Sequence, residues 1–150
     1  MHDKEINMFT QALKFAQDEF YLDSVTEFQK LIDDFPDSEL ADDSQYNIGL
    51  CYYSMNNFKK AIDSFEEVIT QYPEGTISIL DGGNEFGKTA AKCHYAIVNC
   101  YLTLGNIDQA RLHANTLNEF DDSYVLNDDK KIFYSELAKL SIDKFNSVNK

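Results

Sequence analysis

The sequence predicts an all-α fold, a stack of three helix–turn–helix units closed by a C-terminal helix. Three observations carry this. A helical segment recurs further along the chain, apolar residues return at spacings of three and four, and each copy ends in an aromatic–proline pair. Residues 21–36 (YLDSVTEFQKLIDDFP) align with 58–73 (FKKAIDSFEEVITQYP) without a gap. Tyr21 faces Phe58, Ser24 faces Ala61, Val25 faces Ile62, Phe28 faces Phe65, Leu31 faces Val68 and Ile32 faces Ile69. Neither copy can bury its apolar stripe alone, so each needs partner helices.

The first unit is expected at about 5–36. Its leading helix turns Met8, Ala12 and Phe15 inward, and its second helix stops at Pro36, because the residue before a proline is pushed out of the α region. The second unit, about 40–73, has a leading stripe of Ile48, Cys51 and Tyr52, with Gly49 allowing close approach of the facing helix. Asn56-Asn57 makes its turn, and Ile62, Phe65, Ile69 and Tyr72 form its second stripe. An insertion follows at 74–88. The third unit, about 89–122, carries Ala96, Ile97, Cys100, Tyr101 and Leu104, then Gly105-Asn106, then Ile107, Ala110, Ala114 and Leu117. A last helix at about 128–146, with Phe133, Leu137, Leu140 and Phe145, caps the open end.

The run Ile48-Gly49-x-x-Tyr52, Phe58-x-x-Ala61-x-x-x-Phe65-x-x-Val68 and Pro73 resembles a tetratricopeptide repeat. The third unit matches through Ile97, Tyr101, Gly105 and Ala110, with Val98 in place of the glycine and no closing proline, and the first has Gln11-Ala12 where leucine-glycine stands in the family. The resemblance spans nearly the whole chain. It implies a right-handed superhelix whose first helices line a concave, protein-binding face. The segment FPDSELADDSQYNIGLCYY is also similar in style to bacterial envelope repeat proteins, the periplasmic Tol-Pal coordinator and the outer-membrane assembly lipoprotein.

One step round from the core stripes, that face holds Phe9 and Leu13 (with Ile6 and Ala16) from the first unit. It holds Asp43, Tyr46, Asn47, Leu50 and Tyr53 from the second, and Lys92, Tyr95 and Asn99 (with Leu102) from the third. An aromatic, apolar groove with amides and one lysine suits a peptide with apolar anchors. The alternative for Phe9 and Leu13 is packing against the insertion or a second subunit. Some members of the family grip a chaperone's C-terminal carboxylate. Asn47 and Lys92 match that clamp, but Phe9, Leu13 and Ala96 stand at its other positions, so chaperone-tail binding is not expected.

The insertion contains Gly82-x-x-x-x-Gly87-Lys88-Thr89, a formal P-loop pattern beginning at the Gly82-Gly83 pair, with 76–80 as a candidate strand before it. A phosphate cradle needs a parallel sheet to aim the loop, and no other convincing strand is visible. Glu85 would also put a carboxylate inside the cradle, and the helix after Thr89 already serves the third unit. Nucleotide binding is therefore the remote alternative, and a turn in a long surface loop with a role in binding is the expectation.

Charge and cysteines narrow the rest. The net charge of -13 repels phosphate backbones and anionic membranes, so nucleic acid is not an expected partner. Cys51, Cys93 and Cys100 form neither a disulfide framework nor a ligand set, and His2, His94 and His113 are scattered, so no catalytic residue, cofactor or metal is expected. The N-terminus lacks an apolar signal region and no run reaches transmembrane length, which makes a cytoplasmic location the expectation and a periplasmic one the alternative if a leader was removed. The expected function is that of a non-enzymatic adaptor holding a partner's peptide. The structural alternative is a self-associating homo-oligomeric subunit of a larger assembly, with the envelope as one setting for it.

Overall fold

The computed structural model describes residues 2–149. Helices α1 (Asp3–Gln17) and α2 (Tyr21–Asp34), α3 (Ala41–Ser54) and α4 (Phe58–Gln71), and α5 (Thr89–Thr103) and α6 (Ile107–Thr116) form three antiparallel pairs. Each helix packs on the next, and α7 (Tyr134–Val148) lies against α5 and α6. The pairs share one turn geometry. Glu19, Asn56 and Gly105 all adopt left-handed backbone, with φ of 65°, 60° and 79°. The following amide then bonds back to the first helix: Phe20 N–H to Phe15 O, Asn57 to Tyr52 and Asn106 to Tyr101, at 2.8–2.9 Å. Asn57 and Asn106 also cap α4 and α6, each side chain accepting a backbone N–H at 3.2 Å.

The core is serial, as an array of incomplete units requires. Phe9, Phe28, Leu31, Leu40 and Ile48 fill the first layer. Phe65, Val68, Cys93, Ile97 and Cys100 fill the second, and Val98, Leu102, Ala110, Leu117, Tyr134 and Ala138 the third. Gly49 is required in the second: a Cβ there would overlap the buried Phe65 ring.

Two expectations are corrected. Residues 128–133 are not helical. After α6 and a single 3₁₀ turn at Leu117–Glu119, the chain forms strands β2 (Tyr124–Asn127) and β3 (Lys130–Phe133) around a two-residue turn. Asp128 and Asp129 both have positive φ there, the turn geometry that suits the twist of a tight hairpin. The insertion also supplies a strand, β1 (Glu85–Phe86), which pairs antiparallel with β2 and completes a small β1-β2-β3 sheet. The candidate strand at 76–80 reduces to one antiparallel bridge, Thr76 to Lys88.

Candidate functional site: the inner face and its loop

The insertion folds back onto the face made by α1, α3 and α5. Its base is a stem: Ile77 N–H donates to Gly87 O at 2.9 Å and Thr89 N–H to Gly75 O at 3.0 Å. Between these, the chain lies across the first helices. Leu80 packs against the layer containing Phe9 and Leu13. Ile77 packs against the layer containing Ala91, Tyr95 and Tyr134. Polar contacts link the two anchors. Ser78 N–H donates to Asp43 Oδ1 at 3.0 Å, and Asn47 Nδ2 donates to Asp81 Oδ2 at 3.0 Å.

Lys92 is the electrostatic centre of this contact. It is buried, and its ammonium lies 3.4 Å from Asp81 Oδ2, 2.7 Å from Glu85 Oε2 and 4.2 Å from the Tyr46 ring centroid. Tyr134 also donates its hydroxyl to Glu85 Oε2 at 3.1 Å. Burial opposes the charge on Lys92, but Asp81 and Glu85 outweigh it and hold the ammonium above its ordinary pKa. Asp43 behaves oppositely. Burial, reinforced by the charges of Asp42 and Asp81, pushes its carboxyl up to about 8, and its Oδ2 has no hydrogen-bond partner.

The ten residues assigned to the groove therefore divide in two. Phe9, Asp43, Tyr46, Asn47, Lys92 and Tyr95 sit at the end that the loop covers; Phe9, Asp43, Asn47 and Lys92 are buried there rather than open to a partner. The Tyr46 ring packs at a tilt beside Phe65 and that of Tyr95 beside Tyr134, so both also serve the packing. The other end remains open. Leu13, Ala16, Leu50 and Ser54 line a cavity of about 290 Å³. Tyr53, Asn99, Leu102, Phe145 and Val148 line a neighbouring one of about 390 Å³. Leu50 of the first and Tyr53 of the second are one turn apart on α3, so the two mainly apolar cavities neighbour each other as the open channel of this face.

The residues of the formal P-loop pattern are engaged in the loop's own closure. Thr89 donates its hydroxyl to Asp42, Lys88 pairs with Glu74 at 3.2 Å, and a Cβ at Gly87 would strike Ser123 and the Asp122 carbonyl. These groups are committed to closing the stem, and the sheet beside them is antiparallel. Gly82 and Gly83, with φ of 95° and 81°, turn the loop tip. The histidines are not all scattered either: His94 and His113 meet with their Nδ1 atoms 3.0 Å apart, brought together by the α5–α6 pair. Their helical positions are the only sequence signal for that contact. Among the described residues, no group of three His, Cys, Asp or Glu is placed to hold a metal. No described helix is long and apolar enough to cross a membrane.

Residues 43–74, the α3–α4 unit with its glycine against Phe65, match the family model of the tetratricopeptide repeat. The fold is a tetratricopeptide-type array. Among solved structures it resembles the Yersinia enterocolitica type III secretion chaperone SycD in complex with a peptide of the translocator YopD, at 14% identity and TM-score 0.68, over 100% of this chain and 98% of that one. PcrH in complex with the chaperone binding region of PopD is similar at 14% identity and TM-score 0.59, over 99% and 95%. MamA AMB-1 is 22% identical with TM-score 0.56, over 79% of this chain, which spans 59% of that protein. No curated protein sequence matches the chain. Within this array, Asn47 and Lys92 hold a carboxylate between them. It is the chain's own Asp81.

Proposed function

We propose that the protein is an interaction module that holds a peptide segment of a partner protein in the open channel of its inner face. The observation that carries this is the half-buried apolar set Leu13, Leu50, Tyr53 and Phe145, which lines open cavities while the rest of the same face is occupied. Apolar side chains on rigid helices, edged by Asn99 and Lys144, offer anchor sites with a few orienting polar groups. Two similar structures hold peptides of their partners, which supports the same use of the fold here.

The test is a peptide selected from a random display library on the intact chain. Leu50→Glu puts a charge in the channel wall and should weaken that peptide by roughly 100-fold, the scale of losing a central hot spot. The melting temperature should change little, because Leu50 is only partly buried. Selected peptides that bind Leu50→Glu and the native chain equally well would place recognition elsewhere.

A further inference from the structure

The covered half of the inner face is already liganded, by the chain itself. We propose that residues 77–85 are a displaceable internal ligand, and that this half is a second peptide seat taking a partner segment with two apolar residues three apart followed directly by a carboxylate. This deepens the adaptor reading and rests on it.

The pattern comes from what fills the seat. Ile77 and Leu80 are the apolar anchors, and Asp81 brings its carboxylate to Asn47 and Lys92. Ile79, between the anchors, points outward and is 80% exposed, as a non-contacting position should be. Lys92 makes a charged occupant necessary: a buried ammonium with its partners withdrawn is strongly unfavourable, so an apolar peptide alone cannot replace the loop. Little holds the segment apart from the seat. Between the stem and the strand, its backbone contacts are Asp81 N–H to Ser78 O and Leu126 N–H to Asn84 O. The Thr76–Lys88 bridge and the Phe86–Tyr124 pairing would stay in place while residues 77–85 lift, with loss of the Ile77 N–H bond to Gly87 O and of the Glu85–Val125 pairing.

The competition is lopsided. A tethered segment acts at an effective concentration in the mM range, so a free peptide meets a seat that is mostly closed. The chain would thus respond only to a partner that binds the open channel as well, gaining the second seat by displacement.

The experiment uses a fluorescein-labelled peptide of residues 76–86 (TISILDGGNEF) and the full chain. In Leu80→Ser/Asp81→Asn the tether is weakened and the seat is intact. This variant should bind the peptide, and the native chain should bind it at least ~10-fold more weakly. The peptide carrying Asp81→Asn should lose most of its affinity for the variant. A cooperatively folded variant that ignores the peptide, or a native chain that binds it equally well, overturns the proposal. If the variant does not fold, hydrogen exchange on the native chain decides. Amides of 78–84 that open well before α3 and α5 support a displaceable ligand, and exchange at the same rate as those helices overturns it. The selected-peptide titration of Leu50→Glu touches none of these residues, so the channel reading and the seat reading fail separately.

Discussion

Removing the buried ammonium of Lys92 should loosen the loop and lower the stability of the whole chain. Lys92→Met keeps the length and the apolar stem while deleting the charge. The ion pairs at 2.7 Å and 3.4 Å correspond to attractions of about 6 and about 5 kcal/mol at an effective dielectric of ~20. Desolvation of the ammonium offsets several kcal/mol of this, and removing one partner of a buried pair typically costs roughly 3–5 kcal/mol. Here the orphaned carboxylates have an escape. The side chains of Asp81 and Glu85 are already 13% and 25% exposed and can turn to water once the loop lifts. The expected loss is therefore smaller, about 2–3 kcal/mol. That is a large part of the ~5–15 kcal/mol that holds a domain of this size. Urea unfolding of Lys92→Met, Glu85→Gln and the double variant measures the coupling directly, with ~1–3 kcal/mol expected for the cycle. Limited proteolysis between residues 79 and 84 should accelerate in parallel. An unchanged urea midpoint with additive single variants refutes the electrostatic account and leaves the loop held by Ile77, Leu80 and its hydrogen bonds to Asp43 and Asn47.

Four further outcomes follow from the packing and the buried ionisable groups. Gly49→Ala drives a methyl into the Phe65 ring and should cost roughly 1–3 kcal/mol by thermal unfolding, although alanine is the better helix former. Asp43 keeps in the folded state a proton that the unfolded chain releases near pH 4, so its contribution is full in acid and is lost as pH rises through about 8; Asp43→Asn should flatten that decline in urea midpoint. His94 has the opposite sign, because burial and then His113 lower its pKa to about 4: its contribution is present above pH ~6.5 and falls away toward pH 4, where His113→Gln should lessen the loss. Burial pushes the thiol of Cys93 up, and that of Cys100 up to about 12, so both should react with a disulfide reagent only at the rate at which the chain opens, measured as labelling against urea.

The helices and their turns were legible because they are local. A stripe at three and four, a proline stop and an asparagine before the next helix each fix structure within a few residues. Gly49 was readable for the same reason, since its partner Phe65 stands at a repeat landmark. The loop was not. Nothing in ISILDGG has a period, and its contacts with Asp43, Asn47 and Lys92 depend on where three helices bring those side chains. The helical phase therefore put these residues on one face but could not show that a segment of the same chain covers half of them. The hairpin was readable and was overridden. YVLN-DD-KKIF alternates and turns at two acidic residues suited to left-handed backbone, but Phe133 and Leu137 extended the helical pattern backwards across it.

The three-stranded sheet changes how this array should come apart. Repeat arrays with contacts only between neighbours unravel unit by unit, fraying from whichever end is weaker. Here β1, which leaves the middle of the stack, is stitched to β2, and Phe86 lies against Tyr124 at 5.5 Å between centroids. The last helix cannot peel away without tugging that stitch, and the stitch cannot break without freeing the stem beneath it. The C-terminal half should therefore melt as one block rather than as a sequence of small losses.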